Sequence, residues 1–156
     1  MEKIKIKNLA DHPKHFKTVC KWIWEQWEKP DGYNMKGIEY RTHHSLYRTK
    51  IPMTFIAFFD NKPVGTASLW QNDLKQRQDL SPWLACIYVI PKMRAKGIGK
   101  KLQEVLLAKT KKMGYHSIYL TTDHKNYYEK TGWKFLEMVL LKGGKKCRLY
   151  EYKFRS

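Results

Sequence analysis

The sequence predicts an α/β fold in one domain over residues 1–156, and three observations carry that prediction. Short apolar runs such as Met53–Phe59 have the length of buried strands. Between them lie stretches with apolar residues at helical spacing, of which 97–113 is the clearest. At 156 residues the chain fits a single core that buries roughly two thirds of the unfolded surface, so no metal or disulfide staple is needed. Apolar residues make up 42% of the chain and aromatic residues 14%, which excludes a disordered composition. No apolar run approaches the ~20 residues of a membrane span.

Taken in order, residues 3–8 alternate Lys and Ile and read as a strand, with no apolar signal-peptide centre. Residues 11–28 place Phe16, Val19, Cys20, Ile23 and Trp27 at helical spacing, and Pro30-Asp31-Gly32 ends that helix. A second helix is expected over 35–48. Met53–Phe59 is a buried strand, Asp60-Asn61-Lys62-Pro63 a turn, and Val64–Trp70 the returning strand of a hairpin. Gly65 inside it marks a bulge. The polar residues 71–80 form a loop before a fourth strand, Pro82–Val89. The helix over 97–113 gathers Ile98, Leu102, Val105, Leu106 and Met113 on one face, and Gly114 stops it. A fifth strand over Tyr115–Thr121, a short helix over 124–131 ended by Gly132, and strands over Trp133–Leu141 and Cys147–Phe154 complete the pattern. The order β-α-α-β-β-β-α-β-α-β-β shows no repeat, linker or low-complexity segment.

Three cysteines, Cys20, Cys86 and Cys147, are far apart and odd in number, so no disulfide framework or zinc spacing follows. Buried free thiols and a reducing cytoplasm are the expectation. Charge is the first functional signal. The net charge is +17, unevenly spread: +5 over residues 1–80 and +12 over 81–156. Such a field suits nucleic acid, an anionic membrane or a phosphorylated cofactor, and equally a Lys-rich surface with no particular partner.

Residues 84–99 run from an apolar strand through Pro91 into a basic glycine loop and then a helix. A helix N-terminus leaves about four N–H groups free and carries partial positive charge. Gly97 and Gly99 allow close backbone approach, and Arg94, Lys96, Lys100 and Lys101 add charge, which together make a site for a phosphate or pyrophosphate. The nucleoside-triphosphate pattern G-x-x-x-x-G-K-S/T is absent, and the dinucleotide pattern G-x-G-x-x-G lacks its third glycine.

The stretch Arg94-Ala95-Lys96-Gly97-Ile98-Gly99 matches the Arg/Gln-x-x-Gly-x-Gly/Ala signature of the GNAT N-acetyltransferase superfamily. Tyr128-Glu129-Lys130-Thr131-Gly132-Trp133 matches that family's Tyr-x-x-x-Gly-aromatic element, with one helix and one strand between the two, as expected. The chain therefore resembles a GNAT protein over nearly its whole length. Asp79–Ala85 looks like a bacterial subgroup whose substrates are mostly uncharacterised. The resemblance implies a mixed, mostly antiparallel sheet flanked by helices and splayed between its fourth and fifth strands. It implies acetyl-CoA as cofactor, with pantetheine pairing like an added strand on Ile87, Tyr88 and Val89 and the pyrophosphate on Arg94, Ala95, Lys96, Gly97, Ile98, Gly99 and Lys100. Thr121 aligns with a position often Asn in the family, near the pantetheine amide. Tyr128 aligns with the tyrosine beside the cofactor sulfur, where a phenol can protonate the departing thiolate. Tyr127, about 100° away on a helix, reads as packing.

No carboxylate stands on the fourth strand, where many family members place a general base. Asp73, Asp79, His116 and Asp123 are neighbours without a nomination, and Cys86 reads as core. The aromatic residues Trp22, Trp24, Trp27, Tyr33, Tyr40 and Tyr47 fall on the acceptor side, where they serve as packing or line a pocket for a cationic amine. His43-His44 lacks a third metal ligand. The reading is thus a cytoplasmic acetyltransferase acting on a primary amine of a small molecule or peptide, as a monomer or homodimer, without membrane or nucleic-acid partners. The alternatives are a basic nucleic-acid or partner binding module, and an acyl-CoA-binding regulator without catalysis.

Overall fold

A computed structural model of the chain describes residues 3–155. Among them, strands β1 (Ile4–Asn8), β2 (Met53–Phe59), β3 (Lys62–Trp70), β4 (Trp83–Val89), β5 (Ser117–Thr122), β6 (Lys134–Leu140) and β7 (Lys146–Lys153) form one sheet. Its order is β1-β2-β3-β4-β5-β7-β6, antiparallel throughout except between β4 and β5. The helices are α1 (Phe16–Ile23), α2 (Lys36–His43) and α3 (Ile98–Lys112). The α/β sheet flanked by helices matches the architecture that the resemblance implied.

The sheet has two covered faces, so its central strands read as continuous apolar runs rather than alternating ones. On one face, Leu102 and Leu106 of α3 and Ile98 at its start are sealed against Met53, Phe55, Leu69, Ile118 and Tyr150. On the other, Val19, Cys20 and Ile23 of α1 and Ile38 of α2 pack on Ile56 and Phe58. Each large aliphatic side chain so buried contributes about 1.5–3 kcal/mol. A third group, Leu74, Trp83, Val139, Cys147 and Leu149, ties the loop after β3 to the far strands.

Several boundaries differ from the sequence expectation. The helix expected over 11–28 is regular only over Phe16–Ile23. It is preceded by 3-10 turns at Leu9–Asp11 and Pro13–His15 and widens into a π turn over Trp24–Glu28. The second helix stops at His43 instead of 48, because Ser45 Oγ donates to Arg41 O at 2.8 Å and Thr54 Oγ donates to Ser45 O at 2.9 Å. These bonds turn the chain out of the helix and pin it to β2. The helix expected over 124–131 is a single 3-10 turn, Tyr128–Thr131. Gly65 is not itself the extra residue of the bulge: Ala57 pairs with Gly65 and Phe58 with Pro63, so the extra residue is Val64. Gly65 is required for another reason, since a Cβ there would lie 2.7 Å from Tyr88 O.

Candidate active site

The site starts from one irregular strand. Between Ala85 and Tyr88, β4 carries one residue more than the facing β3, where Ser68 and Thr66 are the partners, and Cys86 takes a left-handed φ of 52°. A bulge bends its strand and re-aims the side chains that follow. Pairing with β5 accordingly reduces to a single pair, Trp83 with Tyr119, supported by Tyr119 N–H donating to Pro82 O at 3.0 Å. Beyond that pair the strands part, and exposure follows: residues 82–85 are buried, whereas 86–90 are half-buried. Tyr88 O faces β3, close to Gly65, and Val89 O accepts from Arg94 Nε at 2.9 Å.

At the end of β4 the chain makes a 3-10 turn, Pro91–Met93, and enters α3 through two left-handed residues, Ala95 (φ 62°) and Gly97 (φ 85°). Lys101 N–H is the first in α3 with a carbonyl partner, Gly97 O at 3.0 Å. Among the described residues, the N–H groups of residues 95–100 have no acceptor. Lys96 and Lys100 are exposed, and Ile98 presents only its backbone because its side chain is core. A Cβ on Gly99 would meet only Tyr127 Oη at 3.7 Å and Val89 Cγ2 at 4.0 Å, so the helix start is uncrowded between the end of β4 and Tyr127. These residues fit an anionic group carried on an extended arm.

The two tyrosines of the 127–128 pair divide. Tyr128 is buried, its ring against Tyr127, Tyr150 and Trp133 at 4.9, 5.8 and 5.9 Å. Trp133 Nε1 donates to Gln103 Oε1 of α3 at 3.3 Å, which fixes that wall. Among the described residues Tyr128 Oη has no hydrogen-bond partner, yet the one sealed unsatisfied side-chain atom is Gln103 Nε2. The phenol oxygen is therefore the part of Tyr128 that reaches solvent. Burial, and then the neighbouring Tyr127 and Tyr150, push its acidity well away from the neutral range, so it stays protonated. Tyr127 is 46% exposed and points toward Gly99, not into a packed interior.

On the α1–α2 face, Cys86 packs among the residues beneath α1, and the Tyr88 ring sits 6.1 Å from Trp22 and 6.5 Å from Trp27. Arg41 of α2 lies 4.3 Å above the Trp70 ring and 3.8 Å from Glu28 Oε1. Asp73 comes from the loop after β3. It remains accessible to water, yet burial dominates its acidity and pushes its carboxyl up to about 7 against the pull of Arg41. Burial, together with the charge of Asp73, pushes the Cys86 thiol up to about 12, which leaves it neutral and inert.

The model of the Acetyltransferase (GNAT) family matches residues 16–133, which is most of the chain and spans both the loop and the tyrosine element. The chain belongs to the GNAT acetyltransferase family. No curated protein matches it in sequence. Solved GNAT-fold structures do match over nearly the full length. An acetyltransferase from Streptococcus agalactiae 2603 is 20% identical, covers 99% of this chain and 100% of its own, and has a TM-score of 0.70. An aminoglycoside 6'-N-acetyltransferase complexed with coenzyme A is 15% identical over 96% of each chain, with a TM-score of 0.74. Naa50 from Arabidopsis thaliana, in complex with a bisubstrate analogue joining CoA to a peptide, is 16% identical over 98% of this chain and 100% of its own, with a TM-score of 0.68.

In this GNAT chain the end of β4, with Ile87, Tyr88 and Val89, leads through the turn to Arg94 and on to Lys100 at the start of α3, and Tyr127, whose ring lies against Tyr128, stands over Gly99. Thr121 stands on β5, paired with Leu149 of β7. Of the sequence's four neighbouring candidates for a base, Asp79 is clamped by Arg77 at 2.9 Å, Asp123 is paired with Lys145 at 3.1 Å, and His116 is exposed at the start of β5. Asp73 makes no ion pair or hydrogen bond with any described residue. Trp22 and Trp27 lie against Tyr88 of β4, whereas Tyr40 stacks on His44 and Tyr47 on Lys50. Among the described residues no group of His, Cys, Asp and Glu can hold a metal, and no helix is long and apolar enough to cross a membrane.

Proposed function

We propose that this chain transfers the acetyl group of acetyl-CoA to a primary amine of a small molecule or peptide by direct attack, with Tyr128 protonating the departing sulfur. The observation that supports it most is the parting of β4 from β5 after one pair, beside a helix start whose N–H groups are unclaimed. The open edge at Ile87, Tyr88 and Val89 receives the pantetheine arm as an added strand. The backbone from Arg94 to Lys100 takes the pyrophosphate, with Lys96, Lys100 and the guanidinium of Arg94 adding charge. Thr121 borders the arm from β5. Bound there, acetyl-CoA supplies a thioester carbon open to an amine. Tyr128 holds its proton through neutral pH and offers it from an oxygen with no competing partner. Structural relatives with coenzyme A or a CoA–peptide analogue bound support both the donor and the amine acceptor.

Thiol release from acetyl-CoA with an amine panel tests the reaction. Tyr128→Phe is expected to keep acetyl-CoA binding and slow turnover by about 10²–10⁴, the usual cost of losing a general acid. Tyr127→Phe, measured beside it, should leave turnover within a few-fold. An unchanged rate in Tyr128→Phe, with a loss in Tyr127→Phe, would move the proton donor to the exposed neighbour.

A further inference from the structure

We propose that a cavity beside the C-terminal half of α3 binds a small organic anion, an acidic head group on an apolar body, at a distance from the proposed acetyl-transfer site. The cavity has a volume of about 540 Å³, within the roughly 300–1,000 Å³ of small-molecule sites. Its apolar wall is made by Leu107 and Ala108 of α3, Tyr152 of β7 and Phe154 just after β7. The rings of Tyr152 and Phe154 lie 5.4 Å apart, and Tyr152 leans on Trp133 at 5.5 Å, which fixes the wall from behind. Gly132 lines the same cavity, and a Cβ on it would lie 3.1 Å from Tyr152 Cε2, so the turn before β6 passes tightly over that ring.

Charge surrounds this wall. Lys111, Lys134, Lys153 and Arg155 line the cavity, with Glu151 as its one acid. Glu151 is already engaged: Tyr119 Oη donates to it at 3.0 Å, and Lys153 Nζ lies 4.0 Å away. Lys111, Lys134 and Arg155 make no ion pair or side-chain hydrogen bond with any described residue. The backbone adds a donor. Phe154 N–H donates to His116 O at 2.9 Å, and alternation along the strand turns the main-chain groups of Lys153 away from β5. On that side β6 begins only at Lys134, opposite Glu151, so no strand covers Lys153. Three unmatched cations around one hollow repel one another, and an anion entering it relieves all three. The apolar wall selects among anions. An inorganic ion leaves the wall wet, and a nucleic-acid duplex carries its phosphates on a convex ridge that cannot enter a hollow of this size. An acid with an aromatic or aliphatic body satisfies the cations and covers the wall. Lys111 lies about 18 Å along α3 from Gly99, at 1.5 Å per residue. The cavity shares only Leu107 and Tyr152 with a smaller one, of about 250 Å³, that reaches Lys100. The inference therefore does not rest on the acetyl-transfer reading.

The test titrates the full chain with 4-phenylbutyrate by calorimetry at about pH 7 and physiological salt. Neutral 4-phenylbutyramide supplies the body without the charge, and acetate the charge without the body. The acid is expected to bind about tenfold or more tightly than either. Ala108→Trp, at an exposed helix position, fills the cavity and should abolish binding with the melting temperature unchanged. Lys111→Ala, Lys134→Ala and Arg155→Ala should each weaken binding about 2–5-fold, and the triple variant about 10–100-fold. Lys109→Ala and Lys112→Ala, in the same turns of α3 but outside the cavity, should leave it unchanged. Saturating CoA should alter the affinity by no more than about twofold, as for independent sites. No binding at millimolar 4-phenylbutyrate, equal binding of acid and amide, full affinity in Ala108→Trp, or equal losses from Lys109→Ala and Lys112→Ala would each overturn the inference. Displacement of 4-phenylbutyrate by CoA would overturn it as well, by giving the cavity to the cofactor.

Discussion

Gly65→Ala probes how rigidly the open strand is held. Gly65 pairs with Val89, and a Cβ on it would lie 2.7 Å from Tyr88 O and 3.5 Å from Val89 Cα. Both obstacles are backbone, and carbon–oxygen contacts between strands settle at about 3.3–3.6 Å, so the end of β4 must move by roughly 0.6–0.9 Å. Overpacking of this kind costs about 1–3 kcal/mol. Replacing a strand glycine returns about 0.5–1 kcal/mol of chain entropy. The net loss is about 0.5–2 kcal/mol, read as a lower urea midpoint and a melting temperature lower by roughly 2–6 °C. The displaced backbone is the proposed edge for the cofactor, so acetyl-CoA affinity should fall by roughly 5–30-fold in the same variant. Gly37→Ala is the control: in α2, with nothing within 4 Å of its Cβ, it should gain about 0.5–1 kcal/mol. Equal stability and unaltered acetyl-CoA affinity in Gly65→Ala would refute a fixed strand end.

Acetyl-CoA at a hundred times its Kd should add about 2.7 kcal/mol of stability, seen as a rise in Tm. Gly99→Glu should abolish that rise by placing a carboxylate among the unclaimed N–H groups, while Gly99→Ala, whose Cβ meets Tyr127 Oη only at 3.7 Å, should fold normally. Neutralising Arg94 and Lys96 should weaken acetyl-CoA clearly. Neutralising Lys109, Lys111 and Lys112, in the last turn of α3, should barely change it, and the reverse order would sink the assignment of the charge to the cofactor. Nucleic acid should be retained only at low salt; submicromolar binding at physiological salt would favour the binding-module reading.

The strands were legible because a two-faced sheet demands apolar runs, and Met53–Phe59 and Trp83–Val89 supply them. The helix over 98–112 was legible for the same reason of burial, since its apolar spacing survives to the last turn. The ends of α1 and α2 were not, because side-chain bonds such as Ser45 to Arg41 and anchors such as Thr54 to Ser45 override spacing. The anion loop carried its own signal in glycines and basic residues on consecutive positions. Tyr127 carried none: on a regular helix it would face away from Tyr128's neighbours into packing, and a single 3-10 turn leaves it over Gly99 instead. Asp73 was visible as an acid before the fourth strand. Its distinction from Asp79 and Asp123 is tertiary, made by where Arg77 and Lys145 reach.

Strand β4 sorts the two proposed reactants before either one binds. Ile87 and Val89 pack toward α3, whose start carries unclaimed N–H groups between Lys96 and Lys100, while Cys86 and Tyr88 turn toward α1 and the rings of Trp22 and Trp27. A protein of net charge +17 draws an anionic cofactor to the α3 side of the strand, whereas on the other side the rings of Trp22, Trp27 and Tyr88 offer a cationic acceptor a surface that does not depend on net charge. At physiological ionic strength the field of an exposed charge decays over about 8 Å, so the two preferences stay local and do not cancel across the sheet.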